Sequence, residues 1–323
     1  MQRNIDAAAE ETLSDRILGW LVRHTRLNAV QLKPGYVIKR RNPFGRHILP
    51  AANWFFRWSR APISFATEPR KWARSEVRSF RTLHPQYQAW TLPRGGVCEE
   101  RLPGESLWSH LQSGTLTRDM LSAAGAEFRR AHGLSSQGRL EAWSHGDGAM
   151  CNILFDAVTG RARLIDFEIT HDPSLPPEIR QADDLSVFLV DLAGYTSRRH
   201  WLPFALAFLH AYGRPEVIHA LRARLKVPAG RARLWWKIRA NFVSTERLRA
   251  RLRRLARALD HGDWLNASRA AGRRHRRRPS AHCQATRPGM PKAISRARWT
   301  SESASALIAE IPSSLPTLTY PPS

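Results

Sequence analysis

Apolar positions along the chain change period several times, and each change predicts an element. Leu13, Ile17, Leu21 and Val22 recur at helical spacing and predict an amphipathic helix ahead of the first strands. Ala29 to Leu32 and Tyr36 to Arg40 flank Lys33-Pro34-Gly35, which reads as a β-hairpin. A helix follows from about Lys71 to Leu83, with Val77, Phe80 and Leu83 on one side. Two strand-like runs, Tyr87 to Leu92 and Gly96 to Leu102, then stop at Pro103-Gly104, a breaker between two lobes. Beyond it, Met120 to His132 is helical, and short apolar runs at Ile153–Phe155 and Ala162–Ile165 flank a turn at Thr159-Gly160. Ala182-Asp183-Asp184-Leu185 opens an apolar helix through Leu192. Leu234, Ile238 and Phe242, then Leu248, Leu252, Leu255 and Leu259, predict packed helices whose arginines from Arg247 to Arg257 face outward.

Composition narrows the class. The chain has 323 residues, 42% hydrophobic and 24% charged, a globular mix that excludes wholesale disorder, a collagen-like repeat and a coiled-coil rod. Fifty-one Lys plus Arg against 27 Asp plus Glu give a net charge of +24, and only six of the basic residues are Lys. Any Lys at a chemically suggestive position therefore stands out. Residues 266–323 hold ten basic and two acidic residues, are rich in Pro and Ser and lack periodicity, so a disordered basic tail is expected there. Cys98, Cys151 and Cys283 match no metal spacing and are odd in number, which favours a reducing, cytoplasmic setting over a disulfide framework. The N-terminus lacks the pattern of a signal peptide, and the longest apolar stretch, Trp201 to Gly213, is too short to span a bilayer. A soluble protein, or one peripheral on the inner face of a membrane, is expected.

The chemistry concentrates in residues 144–169, SHGDGAMCNILFDAVTGRARLIDFEI. Polar residues stand at the ends of the two short strands: His145-Gly146-Asp147 and Asn152 before the first, Asp166 after the second. A hairpin of this length brings its ends together, so Asn152 and Asp166 lie side by side with Asp147 on the adjoining loop. Two carboxylates and one amide oxygen around a small space suit Mg²⁺, whose other positions go to water and phosphate.

His145-Gly146-Asp147, the Asn five residues after that Asp, and Ile165-Asp166-Phe167 together resemble the catalytic centre of the protein-kinase-like superfamily. Within it the motif is similar to the aminoglycoside phosphotransferase branch, with the lipopolysaccharide (Kdo) kinases as the nearest functional analogy. Tyr36-Val37-Ile38-Lys39 resembles the strand that carries the phosphate-binding Lys, and Glu76 lies in the next helix where its partner is expected. The resemblance implies an α+β, two-lobed fold with a small antiparallel N-lobe over about 32–103 and a mainly helical C-lobe over 104–265. It implies ATP and Mg²⁺ as cofactors. Asp147 would orient the acceptor hydroxyl and accept its proton, Asn152 and Asp166 would hold Mg²⁺, and Lys39 with Glu76 would hold the phosphates. His145 would support the loop, and Asp184 would accept hydrogen bonds from the loop backbone, although an Asp near a helix start is also a common cap. One departure is plain: no glycine-rich loop precedes Lys39, only the turn at Lys33-Pro34-Gly35, so backbone cover over the phosphates is reduced.

The implied activity is transfer of the γ-phosphate to a hydroxyl of a small molecule, sugar or glycolipid. The alternatives are a protein Ser/Thr kinase, disfavoured by the short proline-rich run from Asp166 to Asp184, and a catalytically inactive nucleotide-binding pseudokinase. Between Lys39 and Glu76 an insertion over about 42–68 carries Pro43-Phe44-Gly45-Arg46 and Trp54-Phe55-Phe56-Arg57-Trp58-Ser59-Arg60. Aromatics interleaved with Arg suit an interfacial membrane segment, stacking on sugars, or packing against the small lobe. With the basic folded part, this makes an anionic membrane contact or a glycolipid acceptor an expectation; nucleic acid is not expected as the main partner.

Overall fold

The computed structural model describes residues 27–43, 45–134, 142–240, 243–262 and 264–265. The expected N-terminal helix, Phe44, Phe242 and the tail 266–323 lie outside them. Strands β1 (Asn28–Lys33) and β2 (Tyr36–Arg41) form the hairpin at Pro34-Gly35, with Lys33 opposite Tyr36. After helix α1 (Gly45–Trp58) and strand β3 (Ile63–Phe65) comes helix α2 (Pro69–Leu83), then β4 (Ala89–Leu92) and β5 (Gly96–Glu100). The antiparallel sheet runs β1-β2-β5-β4. Helix α2 starts two residues before the expected Lys71 because Pro69, whose fixed φ suits a first turn, opens it. Trp72, Val77, Phe80 and Leu83 form its buried face.

The chain then enters a mainly helical part: β6 (Glu105–Ser106), α3 (Leu107–Gln112) and α4 (Arg118–His132), followed by β7 (Ile153–Asp156), β8 (Arg161–Leu164) and β9 (Ile169–His171). Helices α5 (Pro177–Tyr195), α6 (Trp201–Tyr212), α7 (Pro215–Arg224), α8 (Ala232–Arg239) and α9 (Thr245–Asp260) complete it. This is the α+β architecture expected, an antiparallel sheet with its helix followed by a helical part. No helix among the described residues is long and apolar enough to cross a membrane.

Three sequence expectations change. Asp183 and Asp184 do not open a helix or cap one: α5 begins at Pro177, which places both inside it and buries them. The arginines of α9 do not all face out. Arg251 is buried over the Trp201 ring and donates to the carbonyls of Ala193 and Thr196, a cation at the C-terminal end of α5 where the helix dipole favours it. The aromatic insertion does not form one exposed face. Phe56 is buried against Phe65 and Trp235, at ring separations of 5.6 and 4.8 Å, while Trp54 and Trp58 stay exposed and stack at 6.3 Å.

The helical core centres on Phe128, Phe188 and Phe208, with the last two rings stacked at 4.2 Å. Helices α4 and α6 cross where Gly125 faces the backbone of Phe208. A Cβ at Gly125 would lie 2.1 Å from the Phe208 carbonyl oxygen, so the two helix backbones approach only because that side chain is absent. Gly125→Ala is therefore expected to lower stability by about 1–3 kcal/mol, as overpacking in a tight core does. Urea denaturation of the variant against the parent measures this.

Candidate active site

Lys39 occupies the middle of β2, opposite Val97 of β5. Side chains alternate along a strand, so Val37, Lys39 and Arg41 share the face that meets α2. Glu99, two residues beyond Val97 and opposite Val37, reaches the same face diagonally. Lys39 Nζ lies 2.5 Å from Glu76 Oε1, 3.2 Å from Glu99 Oε2 and 3.5 Å from Asp166 Oδ1. Burial alone would push the ammonium pKa down, but the three carboxylates outweigh it and hold it well above its usual value. Burial pushes Glu99 the other way, up to about 8, against the pull of Lys39 beside it. The second oxygens of Glu76 and Glu99 are buried without a partner.

The β7–β8 hairpin does what its spacing implied. Ile153 pairs with Leu164, and the Ile165 amide donates to the Asn152 carbonyl at 2.9 Å, which brings the ends of the hairpin together. Asn152 Nδ2 donates to the Asp147 carbonyl (3.0 Å) and to its carboxylate (3.1 Å), leaving Oδ1 turned away from them. Asp166 follows β8 with φ +68°, a left-handed conformation rare outside glycine, and its side chain is half-buried.

The loop before Asp147 hangs on Asp184. Its Oδ2 accepts the His145 amide and its Oδ1 the Gly146 amide, both at 2.7 Å, and His132 Nε2 also contacts Oδ2 at 3.1 Å. Burial opposes ionisation of Asp184, yet His171 and His132 beside it hold its pKa below the usual carboxylate range. Gly146 has φ +88°, and a Cβ there would lie 2.7 Å from the Ile169 carbonyl oxygen, so the middle position of His-Gly-Asp admits no side chain. The Asp147 amide donates to His145 Nδ1 (3.2 Å), so Nε2 carries the hydrogen and donates to the Ile165 carbonyl (3.0 Å). His145 thereby links the Asp147 loop to the Asp166 segment. Burial raises the Asp147 pKa, opposed by His145 and by Arg239.

The sequence-predicted residues thus fall into two contact groups that His145 and Asp184 connect. Lys39, Glu76 and Asp166 stand in direct contact, as do Asp147 and Asn152, and His145 with Asp184 supports the loop between. Sequence reasoning missed four others. Glu99 is the third carboxylate on Lys39; it stands beside Glu100 in β5, and the sequence does not tell the two apart. Glu168, pushed up to about 7 by burial and by Asp166, accepts from Asn28 (2.7 Å) and Arg41 (2.9 Å) and ties β1 and β2 to the Asp166 segment. Asp191, pushed up to about 6 by burial, accepts the Met150 amide at 3.1 Å under the loop. Arg239 joins Asp183 (3.0 Å) to the Gly146 carbonyl (3.3 Å), and among 45 arginines nothing in the sequence marks it.

Oxygen donors at Asn152 and Asp166 fit a hard cation that keeps water and phosphate ligands. No cluster of three or more His, Cys, Asp or Glu able to hold a metal by protein ligands alone occurs among the described residues. The crowding of Glu76, Glu99 and Asp166 around a single ammonium leaves negative charge that a cation at Asp166 would balance.

No family model and no curated protein matches the sequence. Among solved structures the chain is similar to an ethanolamine kinase of Plasmodium vivax, with a TM-score of 0.39 and 10% identity over 74% of this chain and 83% of that one. It is also similar to Rv3197 of Mycobacterium tuberculosis in its complex with erythromycin, with a TM-score of 0.32 and 17% identity over 55% of this chain and 51% of that one. At these values the reading of the site stands on its own geometry.

His84, at the end of α2, braces the Asp166 segment by donating from Nε2 to the Leu164 carbonyl at 2.7 Å. Burial holds its pKa down to about 4, against 6.5 normally. The unfolded chain takes up this proton near pH 6.5 and the folded chain only near 4, so through that window acid favours unfolding. His84→Gln keeps a donor and removes the titration. Relative to the parent, this variant is expected to gain up to about 1.4 kcal/mol per pH unit as pH falls from 6.5 to 4, read by denaturant unfolding at each pH.

Proposed function

We propose that the chain is a phosphotransferase that moves the γ-phosphate of ATP, with Mg²⁺, to a hydroxyl of a small molecule, sugar or glycolipid. One observation carries the reading: Lys39, Glu76 and Asp166, the first and last separated by 127 positions of sequence, meet at one ammonium within 3.5 Å, beside the Asp147–Asn152 pair. Phosphoryl transfer demands positioned positive charge on the phosphates, a cation bound through oxygen, and a base at the acceptor. ATP and Mg²⁺, when bound, supply the phosphoryl group and neutralise its charge. Lys39, fixed by Glu76, would hold phosphate oxygens as a point charge. Asn152 Oδ1 and Asp166 would hold the metal. Asp147, its proton affinity raised by burial, would orient the acceptor hydroxyl and take its proton.

A small acceptor suits the site better than a folded peptide. The segment after Asp166 is pinned at once, as β9 pairs with β3 of the insertion (Ile63 opposite His171) and Pro176-Pro177 then starts α5. Little free chain is left for a peptide platform.

ATP with Mg²⁺ is expected to raise the melting temperature by several degrees, since a ligand at 100 times its Kd stabilises by about 2.7 kcal/mol. Asp166→Asn should lose this Mg²⁺-dependent shift. Asp147→Asn should keep it while phosphate transfer falls by about 10²–10⁴-fold, the usual worth of a general base. A parent protein that shows no shift with ATP and Mg²⁺ would remove the proposed reading.

A further inference from the structure

Next to the Asp147 loop lies a second cavity, of about 240 Å³, between the insertion and helices α5, α7 and α8. The insertion contributes Arg60, and the segment after α7 contributes Lys226. Trp235 and Trp236 form an aromatic wall. The carboxylate in the lining, Asp183, is already held by Arg224 and Arg239, each at 3.0 Å, and those cations keep it ionised well below the usual range despite its burial. Arg60 and Lys226, by contrast, make no ion pair or side-chain hydrogen bond among the described residues. Among the described residues, two cations without a charged partner therefore face a space whose negative charge is spent.

The backbone at Arg60 adds an independent observation. It has φ +57° at the C-terminal end of α1, where the Ala61 amide donates to the Phe56 carbonyl at 2.8 Å and the Arg60 amide to Arg57 at 3.2 Å. Glycine is the ordinary residue at such a left-handed helix end, because any Cβ strains it. The chain instead keeps a long cationic side chain there, and strained non-glycine positions gather at functional sites. Arg239 connects the cavity to chemistry: its guanidinium, over the Trp235 ring at 5.2 Å, reaches from Asp183 inside the lining to the Gly146 carbonyl, one residue before Asp147.

The geometry points to this cavity as the acceptor's anion subsite: the molecule that presents its hydroxyl to Asp147 carries a phosphate or carboxylate, held by Arg60 and Lys226, on a sugar-sized body packed against Trp235 and Trp236. This deepens the phosphotransferase reading and rests on it for the word acceptor. The volume, under the roughly 300–1,000 Å³ of sites for drug-sized ligands, limits the occupant to one small ring or a short chain with its anionic group. An aromatic wall suits the C–H face of a sugar, and paired cations suit a phosphate or carboxylate.

Titration calorimetry of the full chain at physiological salt, without nucleotide, tests the subsite with four probes: glucose 6-phosphate, glucuronate, glucose and glucosamine. The two anionic sugars are expected to bind at least tenfold more tightly than the neutral and cationic ones, and the stronger of the two identifies the anion. Arg60→Gly combined with Lys226→Ala should lose that preference while melting no lower than Lys226→Ala alone, because glycine relieves the left-handed position. Arg253→Ala with Arg254→Ala, which removes as much charge from the exposed face of α9, should leave it unchanged. Equal binding of all four sugars, or an equal loss in both double variants, would overturn the subsite. Thermal shift with ATP and Mg²⁺ on the same proteins keeps the readings apart: intact anion binding without a nucleotide shift removes the phosphotransferase and leaves the subsite standing.

Discussion

The whole arrangement turns on one buried ammonium. Lys39 is almost fully removed from water, a position an isolated charge does not tolerate, and it is stable there because Glu76, Glu99 and Asp166 surround it. Each carboxylate comes from a different element: Glu76 from helix α2, Glu99 from strand β5, and Asp166 from the segment after β8. A buried pair of this kind adds little net stability, yet breaking it is costly, because the survivor is left uncompensated. The cluster therefore acts as a registration device. The sheet, its helix and the Asp166 segment satisfy their charges in one mutual placement.

A second fixed point serves the Asp147 loop. Asp184, inside α5 rather than at its start, holds two consecutive loop amides and touches His132 of α4. The loop carrying Asp147 is thereby tied to helices α4 and α5, next to the Phe128, Phe188 and Phe208 cluster. His145 bridges onward to the Ile165 carbonyl, so the two fixed points are joined by hydrogen bonds through backbone groups. Backbone-held geometry of this kind constrains position more tightly than contacts between long side chains, which carry more rotamer freedom.

The insertion packs against the helical part. Its strand β3 pairs with β9, its Phe56 packs on Trp235 of α8, and its helix end delivers Arg60 to the basic cavity. A segment whose composition suits membrane, sugar or core alike divides these roles by face: Phe56 goes inward, and Trp54 and Trp58 stay in water. Many of the described arginines are exposed, but a few are placed for structure. Arg251 caps a helix, and Arg239 joins Asp183 to the loop.

What the sequence determined is local. The hairpin spacing that puts Asn152 beside Ile165, the Asp147–Asn152 interval, the rare Lys39 in a strand and Glu76 on a helix were legible, because periods of 2 and 3.6 fix which neighbours a residue meets within one element. The helix starts at Pro69 and Pro177 were misplaced or unread because a proline can open a helix before its apolar pattern begins. What only the tertiary structure decided depends on which strands and helices become neighbours. Glu99 joins Lys39 because β5 lies beside β2, Arg239 is singled out from 45 arginines because α8 packs against the loop, and Arg60 gains a purpose from the cavity it borders. Charge and composition are properties of a residue, whereas a charge's partner is a property of the packing, and packing is set by burial of apolar faces far apart in sequence.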